Sequence, residues 1–125
     1  MKLSEQQRDT ILNASSKALA TYSDIHTLNV VPVSTVRIVD HHVVLCNYFM
    51  NKTRENIVRD YHIALTCWSN GQGLQIKGTA QYLASGDLFE HIQKEVIEMH
   101  PERTLCGIIV VTVDQVFDIS LPNTV

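Results

Sequence analysis

The chain has 125 residues, 45% of them hydrophobic, which is enough apolar material for one compact core and leaves no room for a second, so residues 1–125 read as a single domain. A formal net charge of -3 with 18% charged residues provides no positive field of the kind that draws proteins to nucleic acid or anionic lipid, and argues against both as partners. No stretch approaches the roughly 18 consecutive apolar residues of a spanning helix, and the opening MKLSEQQRDT turns polar too early for a secretory signal, which points to the cytoplasm.

The first element expected is an amphipathic helix with Ser4 as N-cap and Ile11, Leu12, Ala18 and Leu19 near helical spacing; it should end near Ser16. Residues 19–22 read as the first strand, closed by Tyr-Ser-Asp. Residues 28–39 (LNVVPVSTVRIV) are rich in β-branched side chains and form a hairpin with 43–46 through Asp40-His41-His42. A proline cannot donate to a ladder, so Pro32 within this run requires a bulge or a sheet edge and frees nearby backbone groups for another partner.

After a break at 47–53, residues 54–59 suit a short helix with Ile57 and Val58 facing inward. Strands follow at 62–68 and 74–83, separated by Ser-Asn-Gly-Gln-Gly, the second alternating Leu74, Ile76, Gly78 and Ala80 against Gln75, Lys77, Thr79 and Gln81. Ser85-Gly86-Asp87 offers caps to a helix whose apolar stripe is Leu88, Ile92, Val96 and Met99 and which stops before Pro101. The last strand, 107–117, contains a continuous apolar run at 108–111, the pattern of a segment buried on both faces. Tight hairpins interrupted by three short helices favour a mainly β, six-stranded antiparallel barrel over a doubly wound parallel sheet.

Chemistry concentrates in Asn47-Tyr48-Phe49-Met50-Asn51-Lys52-Thr53, a loop that leaves a strand and opens a helix. Lys52 offers a point charge and Thr53 a hydroxyl, and the unsatisfied first-turn N–H groups suit a phosphate. Tyr48 and Phe49 supply flat apolar surface for a ring attached to that phosphate. Taken alone, the same residues also fit a surface helix capped by Asn51 or Thr53 with Lys52 solvated.

The order of Pro32-Val33-Ser34, the turn at Asp40, the strand to Asn47, Lys52-Thr53-x-x-Asn56-Ile57 and Asp60 extends to Ile76-Lys77-Gly78-Thr79-Ala80 and Val110-Val111-Thr112-Val113. This arrangement resembles the pyridoxamine 5'-phosphate oxidase-like superfamily of FMN-binding split barrels, and within it the small FMN-binding proteins, over residues from about 19 to 113. The resemblance implies a six-stranded antiparallel split β-barrel, a homodimer, and FMN at the dimer interface. It implies that Lys52 and Thr53 hold the phosphate with Asn51 beside them, that Pro32, Val33 and Ser34 line the isoalloxazine, and that Asn47, Tyr48 and Phe49 contact the ring or ribityl chain. Phe117 and Ile119 would cover the ring from the partner subunit, with ordinary interface or core packing as their alternative.

Backbone groups freed at Pro32 could read the ring's pyrimidine edge. An apolar last strand, in a chain too small to enclose a flavin alone, points independently to dimerisation.

The vitamin B6 oxidases of the superfamily carry arginines after their lysine-containing loop and a C-terminal Arg-x-His; nothing after Arg103 is basic here, so oxidation of pyridoxine phosphate is not expected. The function implied is that of an FMN-binding oxidoreductase or electron carrier whose substrate the sequence does not name. The alternative is a non-enzymatic dimeric module for another phosphorylated ring compound.

Other signals point to structure. Cys46, Cys67 and Cys106 are odd in number, far apart and set in apolar runs, which suits buried free thiols. The histidines, His26, His41, His42, His62, His91 and His100, lack ligand spacing, and no metal is expected. Gly71-x-Gly73 lies between strands and reads as a hairpin turn, Ser34 lacks a hydrolase elbow, and Trp68 is expected in the core. An oligonucleotide-binding barrel would need interleaved aromatic and basic strand residues that are missing.

Overall fold

A computed structural model describes residues 1–23 and 27–122, and His26 therefore lies outside the described residues. The elements are α1 (Glu5–Asn13), β1 (Ser16–Tyr22), β2 (Leu28–Pro32), β3 (Val36–Val39), β4 (His42–Asn47), α2 (Asn51–Arg59), β5 (His62–Ser69), β6 (Gln72–Leu83), α3 (Asp87–Met99) and β7 (Gly107–Asp118). Helix α1 starts as expected: the Ser4 side chain accepts from Gln7 N at 3.1 Å while Gln7 Oε1 accepts from Ser4 N at 2.9 Å, a capping box. It stops at Asn13, short of the expected Ser16, because Ser16 already pairs with Trp68 in the sheet.

Seven antiparallel strands form one sheet in the order β2-β1-β5-β6-β7-β4-β3, where six were expected. The extra strand arises because the run 28–39 is cut at Pro32. Val33 N donates to Lys17 O of β1 at 3.0 Å, whereas Thr35 O accepts from Cys46 N of β4 at 3.1 Å, so residues 33–35 pass from one side of the sheet to the other. Register runs unbroken to Ala18↔Pro32, which makes the proline the last residue of an edge strand with no bulge. The register shift lies instead between Lys77 and Gly78, where a Cβ on Gly78 would stand 2.1 Å from Thr112 O.

Strands β2 and β3 occupy opposite ends of the strand order. In a flat sheet those ends would be about 29 Å apart, yet the backbone from Pro32 to Val36 reaches only about 15 Å. The sheet therefore curls round toward itself, while its ladder stays open between β2 and β3.

Alternation sends Leu19, Leu45, Leu65, Ile76, Ile109 and Val111 inside, with Ile11 of α1 and Ile57 of α2 joining the same core. On the other face of the sheet, Val44, Cys46 and Ile108 pack against Phe89, Ile92 and Val96 of α3, so the run 108–111 has apolar material on both faces. The buried stripe of α3 is thus Phe89, Ile92 and Val96, while Met99 is exposed. Gly86 serves as its N-cap at φ 98, with no side-chain cap from Ser85 or Asp87.

Three other expectations are corrected. Val58 is 74% exposed, because the inward face of α2 is Thr53, Asn56 and Ile57, and the residue after Ile57 rotates away. Trp68 is 41% exposed on the outer face of β5, since Ile63, Leu65 and Cys67 take the inner one. Cys46 and Cys67 are buried free thiols, but Cys106 precedes β7 and is exposed.

Candidate functional site

Strand β4 ends on Asn47, the chain turns over 48–50, and α2 opens at Asn51. Two contacts seat this turn beside β2 and the 33–35 connection: Thr35 Oγ1 and Tyr48 OH share a hydrogen bond of 2.9 Å, and Asn29 Nδ2 donates to Thr53 Oγ1 at 3.1 Å. Asn29 and Thr35, which flank Pro32-Val33-Ser34 in sequence, thus touch Thr53 and Tyr48 of the Asn47–Thr53 group.

Their exposures differ. Phe49 is 83% exposed, and Pro32, Ser34, Asn51 and Lys52 also face solvent; Tyr48 is half-buried and Val33 is buried. Asn47, at 1%, and Thr53, at 0%, are enclosed. The Thr53 hydroxyl belongs to a buried polar network in which Thr21 Oγ1 accepts from Asn56 Nδ2 at 3.0 Å and from Asn29 Nδ2 at 3.4 Å, joining β1, β2 and α2. Asn56 stood in the sequence motif, whereas Thr21 and Asn29 did not. The signal available for them was a polar residue at an inward position of a strand, which has to find a partner.

The α2 N-terminus has Met50 as N-cap, no side-chain cap and no acidic residue in its first turn. The first-turn amides of Asn51, Lys52 and Thr53 have no intrahelical acceptor, and no acidic side chain of the first turn offsets the positive end of the helix. Cations surround it. Besides Lys52, the Arg54 guanidinium lies 5.3 Å from the Tyr82 ring centre and that of Arg103 lies 5.2 Å from the Tyr48 ring centre. Arg103 belongs to the segment before β7, which is fastened here by Cys106 N to Asn47 O at 2.9 Å and Cys106 Sγ to Tyr48 O at 3.0 Å. An uncapped helix start, cations and an exposed aromatic side chain suit a phosphomonoester carrying a planar ring.

A groove of about 590 Å³ runs along the outer face of α2, lined by Asn51, Arg54, Glu55, Val58 and Arg59. A larger cavity of about 660 Å³ lies far off, between α1 and the 70–73 turn, and contains none of the expected site residues. The chemistry described above favours the α2 end. Phe117 and Ile119 do not join the site within their own chain: Phe117 sits across the sheet from Pro32 in the row Pro32–Ala18–Thr66–Gln75–Phe117, and Ile119 N bonds to Gly73 O at 3.0 Å.

Among the described residues no three His, Cys, Asp or Glu side chains gather as a metal-ligand set, and no helix is long and apolar enough to cross a membrane.

The family model described as pyridoxamine 5'-phosphate oxidase matches residues 3–120. An uncharacterised protein of Methanocaldococcus jannaschii is 25% identical over 123 residues, covering 95% of this chain and 82% of that one. Among solved structures, group A Streptococcus HupZ superposes with a TM-score of 0.83 at 19% identity, covering 94% of each chain. An FMN-binding protein from Syntrophomonas wolfei gives 0.80 at 17% identity, covering 93% of this chain and 85% of its own. A candidate pyridoxamine 5'-phosphate oxidase from Lactobacillus delbrueckii gives 0.74 at 22%, covering 93% of both. At these identities the structural likeness establishes the fold.

Proposed function

Because the chain belongs to the pyridoxamine 5'-phosphate oxidase family, we propose that it is a flavoprotein that holds FMN at the start of α2 and serves as an oxidoreductase or electron-transfer protein. The observation that carries this reading is the uncapped, acid-free N-terminus of α2, set beside Lys52 and Phe49 and tied to β2 through Thr53 and Asn29. Bound FMN supplies one- or two-electron transfer. The residues of the chain hold and screen it.

In this reading Lys52 gives a charge-assisted contact to the phosphate, and Asn51, Lys52 and Thr53 contribute backbone N–H groups. The Thr53 side chain serves from below, since its hydroxyl is engaged by Asn29. Phe49 and Tyr48 offer ring surface, and Pro32, Val33 and Ser34 supply the isoalloxazine wall at the free edge of β2. The protein acts as a homodimer in which Phe117 and Ile119 of the partner subunit close the ring. Support comes from an outer sheet face that exposes Tyr22, Leu28, Val30, Trp68, Phe117 and Ile119, apolar side chains that a second copy would cover.

Titration of the purified protein with FMN, followed by flavin fluorescence, is expected to saturate. Lys52→Ala should weaken binding by about 1 to 3 kcal/mol. A wild-type protein that neither saturates nor gains thermal stability in excess FMN would end this reading, since a ligand bound only by the native state must stabilise it.

A further inference from the structure

The inner ends of β6, β7 and β4 meet where the turn to α2 begins. Asn47 of β4 pairs with Gly107 of β7, and Tyr82 of β6 pairs with Ile109, two residues further along β7. The Tyr82 side chain lies across β7 directly above Gly107: a Cβ there would be 2.2 Å from the Tyr82 hydroxyl and 2.3 Å from its ring. Only a residue without a side chain lets the ring through. Beyond the glycine, the Tyr82 hydroxyl accepts a hydrogen bond from Asn47 Nδ2 at 2.7 Å.

Asn47 passes this constraint onward. Its Oδ1 accepts from Met50 N at 2.5 Å, which fixes the amide orientation, because a reversed amide would set two donors against each other. Met50 is the residue from which α2 starts, and its carbonyl accepts from Arg54 N at 3.0 Å. The Tyr82 ring also supports the Arg54 guanidinium at 5.3 Å. One side chain thus holds the helix start twice, through Asn47 to the backbone and through its ring to the first-turn cation.

Asn47 occupies Met50 N, the amide just before the helix, and leaves those of residues 51–53 without a side-chain cap. The arrangement fixes the helix start while keeping its anion-attracting groups open.

We propose that Tyr82 is a positioning residue for the phosphate site, setting through Asn47 the place of the α2 N-terminus, with Gly107 as the gap that admits it. This rests on the FMN reading for the identity of the anion, but not for the strut itself. Tyr82→Phe isolates the hydroxyl, since a phenyl ring keeps its face toward Arg54. Gly107→Ala displaces the whole ring.

Two measurements test the assignment. In the ligand-free protein, hydrogen exchange at the Met50 and Arg54 amides should quicken in both variants while the β7 core amides stay as in wild type. Equal exchange at Met50 and Arg54 in wild type and Tyr82→Phe overturns the proposal whether or not flavin binds. With ligand, Tyr82→Phe should weaken FMN roughly tenfold and leave riboflavin, which lacks the phosphate, unchanged. Equal weakening of both, or of neither, also overturns it. Failure of the wild type to bind FMN at all removes the flavin reading and leaves the exchange measurement to decide the strut.

Discussion

Burial divides the three thiols into two kinds. Enclosure in the cores pushes Cys46 and Cys67 up to about 11, so almost none of either is thiolate near neutral pH, whereas Cys106 is exposed. A thiol-specific chromogenic reagent at pH 8 should therefore titrate one cysteine quickly in the native protein and the other two only after denaturation; two fast thiols in the native state would contradict the packing described. The same division explains what could be read in the sequence. The places of Lys52, beside a helix start, and of Phe49, beside a strand end, were legible because they are local. Tyr82, Gly107, Asn29 and Thr21 were not, because each acts on a residue that only the folded sheet brings near. Cys106 is exposed, against expectation, because it precedes its strand, and an apolar neighbourhood in sequence does not reveal that.

At the scale of elements, the hairpins were clear from alternation and turn residues, and β5, β6 and β7 begin and end within two residues of expectation. Asn70-Gly71 adopts positive φ at both positions, 44 and 82, the two-residue turn that matches strand twist. Helix α2 starts three residues before the expected Arg54 for a physical reason: the usual mark of a helix start is a side-chain cap, and here Asn47 holds Met50 N while the first turn is left open. Pro32 was recognised as an interruption, but sequence could not say whether the strand would bend or end there. The register shift occurs instead opposite Gly78, where β7 carries one extra residue, Asp114, and the two backbones come close. Gly78→Ala would drive a methyl group into Thr112 O and should destabilise the protein by about 1 to 3 kcal/mol. A urea midpoint unchanged from wild type would show that the bulge has room to give.

For the whole molecule, the fold class and the antiparallel arrangement were readable, because hairpin spacing restricts topology, while the strand count was not, since it depends on how one proline-containing run divides. One face of the sheet leaves Tyr22, Leu28, Val30, Trp68, Phe117 and Ile119 uncovered. Sedimentation at micromolar concentration should give a dimer, and Val30→Glu, which places a charge among Leu28, Pro32 and Ala20, should give a monomer that keeps its secondary structure. A wild-type protein that sediments only as a monomer would assign that face to something other than a second copy.

The short connection at 33–35 acts as a clasp at the hem of the curled sheet, gripping β1 on one side and β4 on the other. Any guest resting against that clasp leans on both rims together. A bound guest would then hold the two rims in place although no ladder joins them, and tight occupancy should be felt as stiffness in both.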